Sequence, residues 1–335
     1  MKKIILPFLL VLILSGCSTA QTEEEPGMVY TKAAMTVAVQ LTQNATPEAT
    51  STPTLEPTIT PTATLEPTST PTVPIPTATW TFNTAGKATA PILLYFHVGD
   101  GKEDNLYYQW ETNIDIPSNE FRHQMQVLKE AGYTSIPVST LAEAIWFGAE
   151  LPAKPVVITF DVITTGIYNK AFPIMQHYGF IGTLYVTAAQ VNGEGVLTEA
   201  QIKEMIAAGW EIGSKGMTGV DLTQNYSMLS DEISGSRLRL EEKFGVPVKS
   251  FAYPYGNNDA EVGSRVSSWG YTSAAGIFNT VEHNTGTIYY LARYEVKNDW
   301  TIDNFINILP WKPIAVPTPE TGAIQGIEAS TTITP

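Results

Sequence analysis

Between residues 88 and 312 the chain keeps switching its hydrophobic period, and that alternation limits the possible folds more than any other feature. Apolar, β-rich runs at 92–96, 156–160, 183–186, 211–214, 250–253 and 273–278 read as strands. Between them, the spacing predicts helices over 118–131, 168–178, 198–208, 230–244 and 259–269. Ser118 is placed to cap the first of these helices, and Thr198 with Gln201 fits a capping box. Gly132, Gly179 and Gly245 are the expected stops. Segments 290–296 and 301–309 close the region. Strands that alternate with helices imply parallel pairing with helical crossovers, so the class is α/β. Periodicity alone fits a barrel and a doubly wound sheet equally well.

The flanks are different in kind. Lys2 and Lys3 precede an apolar run over 4–14, and Leu14-Ser15-Gly16-Cys17 then has the order of a lipoprotein cleavage box. The run is short for a bilayer span. Cys17 is the only cysteine, so an intrachain disulfide is impossible and lipidation is the expected use of this thiol. An ordinary cleaved signal with an incidental cysteine is the alternative. Residues 1–17 are therefore assigned to the signal and 18–45 to a short segment with a possible helix over 30–43. Residues 46–87 form a Thr/Pro-rich linker in which Thr-Leu-Glu-Pro-Thr occurs twice. Proline removes backbone donors, so this linker is expected to be an extended stalk reaching on the order of 90 Å, with threonines available for glycosylation. The tail over 313–335 is expected to be disordered. The expected location is outside the cell, anchored to the envelope by lipid at Cys17 with the domain held on the stalk. A formal net charge of −14 argues against nucleic acid, which needs clustered Lys and Arg, and is compatible with a neutral partner such as an N-acetylated sugar.

Several strand ends carry unusual residues. The run at 157–161 is Val-Ile-Thr-Phe-Asp, 209–214 is Gly-Trp-Glu-Ile-Gly-Ser, and 251–256 is Phe-Ala-Tyr-Pro-Tyr-Gly. In this order and spacing they resemble the first three motifs of the polysaccharide deacetylases (carbohydrate esterase family 4). The opening run 91–97 is similar to the first strand of that family's bacterial surface branch. The resemblance implies a distorted (β/α)7 barrel over 88–312. It also implies N-acetyl hydrolysis on a sugar, assisted by zinc in active relatives, with peptidoglycan or poly-N-acetylglucosamine as the polymer partner.

The sequence departs from the family where the metal is held. Asp161 matches the base, but Val162 stands at the ligand aspartate, and Lys215 and Gly219 stand at the two ligand histidines. Valine and glycine side chains cannot ligate and a charged lysine has no lone pair, so no metal site and no cofactor are expected. Asp161 is read either as a retained base or as a structural acid paired with Lys215, and Lys215 as a cationic substitute for the metal or a solvent-facing residue. Tyr253, Pro254, Tyr255 and His97 are the candidate sugar contacts, against the alternatives of a rigid turn and a satisfied rim histidine. Three functions remain open: a non-hydrolytic polysaccharide binder, an atypical deacetylase using Asp161 and Lys215, and a structural module on a stalk.

Overall fold

The computed structural model describes residues 78–101, 104–105, 113–322 and 324. The signal segment, Cys17, the helix expected over 30–43 and most of the linker lie outside the described residues.

Seven parallel strands form the centre: β1 (Ile92–Tyr95), β2 (Pro155–Phe160), β3 (Thr183–Val186), β4 (Glu211–Ser214), β5 (Ser250–Ala252), β6 (Ser273–Ala275) and β7 (Tyr294–Glu295). Their spatial order is β6-β5-β4-β3-β2-β1-β7. The two-residue strand Thr134–Ser135 adds to β2 from the side. A parallel bridge between Ala275 and Leu291 brings the segment before β7 against β6, so the sheet curls back on itself. This decides the question that periodicity left open, in favour of a barrel of the (β/α)7 type.

Helices cover the outside: α1 (Ser118–Glu130), α2 (Val138–Phe147), α3 (Phe172–Tyr178), α4 (Glu199–Ala207), α5 (Ser236–Phe244), α6 (Ala260–Ser268) and α7 (Ile302–Asn307). The expected capping box at Thr198 and Gln201 is formed. Gly179 and Gly245 end α3 and α5 in the left-handed conformation, which glycine adopts without steric cost. Ser118 is not the N-cap of α1. Pro117 holds that position, while the Ser118 hydroxyl donates to Asp100 at 2.8 Å. The helices expected over 168–178 and 230–244 each begin with a π-helical turn, Ile167–Ala171 and Ser230–Gly235.

Side chains alternate across each strand, and this parity builds two cores. Leu93, Tyr95, Ile158, Phe160, Leu184, Ile212 and Phe251 face the helices and form the larger one. Ile92, Val157, Tyr185, Ala252 and Ala275 face inward and pack with Val138, Leu141 and Ile145 of α2. Gly213 occupies an inward position where a Cβ would lie 2.5 Å from the Tyr185 ring, so no larger residue fits there.

Two expected boundaries move. Trp80–Phe82 pairs with Glu150–Pro152 and Lys87–Thr89 pairs with Glu282–Asn284, so the fold begins within the stretch assigned to the linker. Residues 313–322 are not a free tail. The His123 ring contacts the Pro317 carbonyl at 2.9 Å, Gln126 donates to the Thr318 carbonyl, and Glu320 accepts from Tyr178. The proline-rich sequence cannot form helix or sheet, but its carbonyls are still acceptors that α1 can use.

Candidate functional site

The inward parity places Asp161, one residue beyond β2, and Lys215, one residue beyond β4, at the same end of the barrel. Arg293, just ahead of β7, points to the same place. Asp161 and Arg293 are buried, and Arg293 donates to both carboxylate oxygens at 2.5 and 2.9 Å. Lys215 Nζ lies 3.2 Å from Asp161 Oδ2 and also donates to the Asp161 carbonyl at 3.1 Å. Its ammonium sits 5.2 Å from the centre of the Phe96 ring. Burial by itself would raise the Asp161 carboxyl, but the Arg293 and Lys215 charges outweigh it and hold the group below the usual carboxylate range. Asp161 is thus a fixed anion and a weak base.

A cavity of about 480 Å³ opens over Asp161 and Lys215 and is also bounded by Val162, Gly219, His97, Pro254 and Tyr255. His97 is buried, and its Nδ1 lies 3.2 Å from the Thr164 hydroxyl. Burial, and secondly the Lys215 charge, push its imidazole down to about 4, so it is neutral at pH 7. Pro254 and Tyr255 come from a turn, Pro254–Gly256, that follows β5. Tyr255 is 72% exposed and adopts φ 59°, a left-handed conformation that bulky residues rarely take. Strain of this kind is kept where surrounding structure enforces it, often at a binding site.

Tyr253 does not join the cavity. It is fully buried, its hydroxyl donates to the Tyr289 carbonyl at 2.8 Å, and its ring packs on Phe251 and Tyr290. The reason is parity: Tyr253 shares the helix-facing side of its strand with Phe251, whereas a pocket residue must share the side of Ala252.

The loop after β4 is built around a second buried carboxylate. Glu232 is inaccessible to solvent and accepts from the Thr218 amide, the Thr218 hydroxyl and the Gly219 amide. Gly219 has φ 80° in this loop. Of the residues at the expected ligand positions, Val162 and Gly219 therefore offer no side-chain donor, and Lys215 offers a cation. Among the described residues no group of three or more His, Cys, Asp or Glu is placed to hold a metal ion.

Sequence reading missed Arg293 and Glu232. Arg293 left one signal, a positive charge inside the run 288–296, where Glu295 is the one other charged residue. Glu232 left none, since it sits in an ordinary charged helix pattern.

Comparison with known proteins shows what this chain is similar to. Residues 148–274 match the family described as polysaccharide deacetylase, and residues 1–18 match the lipid attachment site of prokaryotic membrane lipoproteins, pointing to a lipid-anchored envelope protein. Among the described residues no helix is long and apolar enough to cross a membrane. The Bacillus subtilis protein YxkH is 25% identical over 196 residues, which is 58% of this chain and 66% of that protein. The poly-beta-1,6-N-acetyl-D-glucosamine N-deacetylase of Staphylococcus epidermidis is 28% identical over 161 residues, 43% of this chain and 55% of that one. The chain thus spans 66% and 55% of these curated relatives' length. Among solved structures, the Streptococcus pyogenes deacetylase PplD in complex with acetate superimposes with a TM-score of 0.61 at 20% identity, covering 66% of this chain and 98% of that one. A polysaccharide deacetylase from Bacillus cereus gives 0.59 at 23% identity, covering 66% and 69%. At these identities the structural likeness speaks for the fold alone. Sequence match and fold together lead to one conclusion: the folded part of this chain carries, over residues 148–274, a match to the polysaccharide deacetylase domain, within a fold shared with solved deacetylases.

Proposed function

We propose that this chain is a surface-anchored lipoprotein that binds N-acetylated cell-wall or matrix polysaccharide and does not hydrolyse it by the metal-dependent route of its family. The observation that carries this reading is the Lys215 ammonium, 3.2 Å from Asp161 Oδ2, at the position expected for a ligand histidine. A divalent cation does not fit the residues present. Both oxygens of Asp161 are engaged by cations, and the other ligand positions hold Val162 and Gly219. A catalytic zinc site needs about three protein ligands.

The same cavity keeps what a sugar needs. Val162, Ile163 and Val196 offer apolar surface to an acetyl methyl group, while Thr164 and Gln190 offer polar atoms to its amide. Tyr255 presents an exposed ring at the rim for a sugar face. A stalk over the Thr/Pro-rich segment would let the domain reach polymer away from the lipid-anchored end. The related enzyme from Staphylococcus epidermidis, named for poly-beta-1,6-N-acetyl-D-glucosamine, supports an N-acetylhexosamine polymer as the ligand.

The test is binding of N-acetylglucosamine oligomers to the full chain by calorimetry, alongside acetate release with and without added zinc. Saturable binding without acetate release is expected. Zinc-stimulated release would overturn the reading. Release that is independent of metal and lost in Asp161→Ala would instead favour an atypical deacetylase that uses Asp161 and Lys215.

A further inference from the structure

A second cavity, of about 490 Å³, takes no part in the arrangement around Asp161. It is bounded by Tyr226, Ser227, Leu229, Glu261, Arg265 and Trp269. Tyr226 is 52% exposed, and its hydroxyl donates to Asp259, which fixes the ring at the surface. Arg265 lies over the Trp269 ring at 5.7 Å, and Glu261 holds its guanidinium at 2.8 Å. Flat rings bordered by hydroxyl, carboxylate and guanidinium groups suit a pyranose, whose C–H face stacks while its edge hydroxyls take hydrogen bonds.

The two cavities are connected through the chain between Tyr255, which borders the first, and Glu261, which borders the second. Asn257 donates to Asp221 at 2.7 Å, tying the turn that carries Tyr255 to the loop that leads to Tyr226. The chain from Tyr255 to Glu261 spans at most about 20 Å even when extended. That separation is within the reach of an oligosaccharide. The local charge also discriminates between polymers. Hydrogen bonds from Thr223 and from Tyr226 hold Asp221 and Asp259 below the usual carboxylate range, so both are anions at neutral pH. The chain as a whole carries −14. An acidic polymer is repelled here and a polymer carrying amines is attracted.

We propose that the cavity between Tyr226 and Trp269 is a subsite for a hexosamine polysaccharide bearing free amino groups, occupied by the same polymer whose acetylated residues enter the first cavity. This rests on the reading that the first cavity binds such a polymer. The test titrates the full chain, Tyr226→Ala, Arg265→Ala and Lys215→Met with fully N-acetylated and partly de-N-acetylated glucosamine hexasaccharides and with the N-acetylated disaccharide. Thermal unfolding verifies that each variant is folded. The wild type is expected to prefer the partly de-N-acetylated hexasaccharide, with a preference that shrinks as salt is raised. Tyr226→Ala is expected to weaken hexasaccharide binding by about fivefold to tenfold and leave the disaccharide unaffected. If Tyr226→Ala and Arg265→Ala both bind the hexasaccharides as the wild type does, while Lys215→Met binds them weakly, the second cavity is excluded and the first stands. A wild type that prefers the fully acetylated polymer also overturns the proposal. A wild type that binds no oligomer at all removes both readings.

Discussion

Arg293 grips Asp161 with both prongs of its guanidinium, Nη1 to Oδ1 at 2.5 Å and Nη2 to Oδ2 at 2.9 Å, and neither side chain is more than 2% exposed. Removing one partner of such a pair leaves an uncompensated charge in a place that water does not reach. Arg293→Met is expected to lower the free energy of unfolding by about 3–5 kcal/mol. The double change Arg293→Met with Asp161→Asn is expected to recover much of that loss. Urea unfolding midpoints compare the three proteins, and a single variant with the wild-type midpoint would contradict the pairing. Because the folded Asp161 value lies below the unfolded one, this contribution is present above the unfolded carboxylate value near about 4 and is lost as pH falls through the lower folded value.

His97 gives stability a second dependence on pH. Its folded value is lowered from 6.5 to about 4, so between those values the unfolded chain binds the proton and the folded chain does not. Stability is expected to fall as pH drops from 6.5 towards 4, by on the order of 3 kcal/mol at most from this residue. His97→Gln cannot titrate, so it should flatten that part of the profile. A variant with an unchanged profile between pH 6.5 and 4 would assign the dependence to other groups.

Gly219 opposes the introduction of a metal-ligating side chain at its position. A Cβ there makes only ordinary contacts, with the Thr187 side chain from 3.5 Å and the Lys215 carbonyl at 3.9 Å, but the backbone sits at φ 80°. Gly219→His is expected to lose about 1–2 kcal/mol from the left-handed conformation alone. Adding Val162→Asp and Lys215→His supplies donor types while leaving Arg293 on Asp161. Thermal unfolding of Gly219→His, with and without zinc, is the measurement. A variant as stable as the wild type without zinc would mean that the loop relaxes around the new side chain.

Tyr255 separates strain from binding. Its ring is exposed and its backbone is left-handed, so the domain gains little stability from this side chain. Tyr255→Gly is expected to leave stability unchanged or raise it by up to about 1 kcal/mol, because glycine takes this conformation freely. The same change is expected to weaken binding of N-acetylated oligomers severalfold. Tyr255→Ala keeps the strained backbone and lacks the ring, so equal binding losses in the two variants would assign the effect to the ring. A Tyr255→Gly protein with wild-type affinity would remove Tyr255 from the sugar site.

Much of the site was legible because it lies at strand ends, and strand ends are visible as the points where apolar runs stop. Asp161, Lys215, Pro254 and Tyr255 are read in that way, and all four border one cavity. Tyr253 was misplaced although the information was present: one step along a strand reverses the face, and Phe251 already marks its side as the helix-facing one. Ser118 failed differently, since a cap depends on the backbone angles of its neighbour Pro117.

The sequence by itself determined the order of strands and helices, the glycine stops, the side chains at Val162 and Gly219 that cannot ligate a metal, and the net negative charge. These follow from local periodicity and side-chain chemistry, which do not need a partner to be expressed. Only the tertiary structure decided that Arg293 binds Asp161 across 132 residues of chain, that Glu232 fills the loop holding Gly219, and that residues 313–322 lie along α1. Each depends on which strand or helix becomes a neighbour. That is fixed by the closure of the curled sheet and the inward parity of its strands, so a charge on β7's approach meets a carboxylate at the end of β2 only once the barrel is formed.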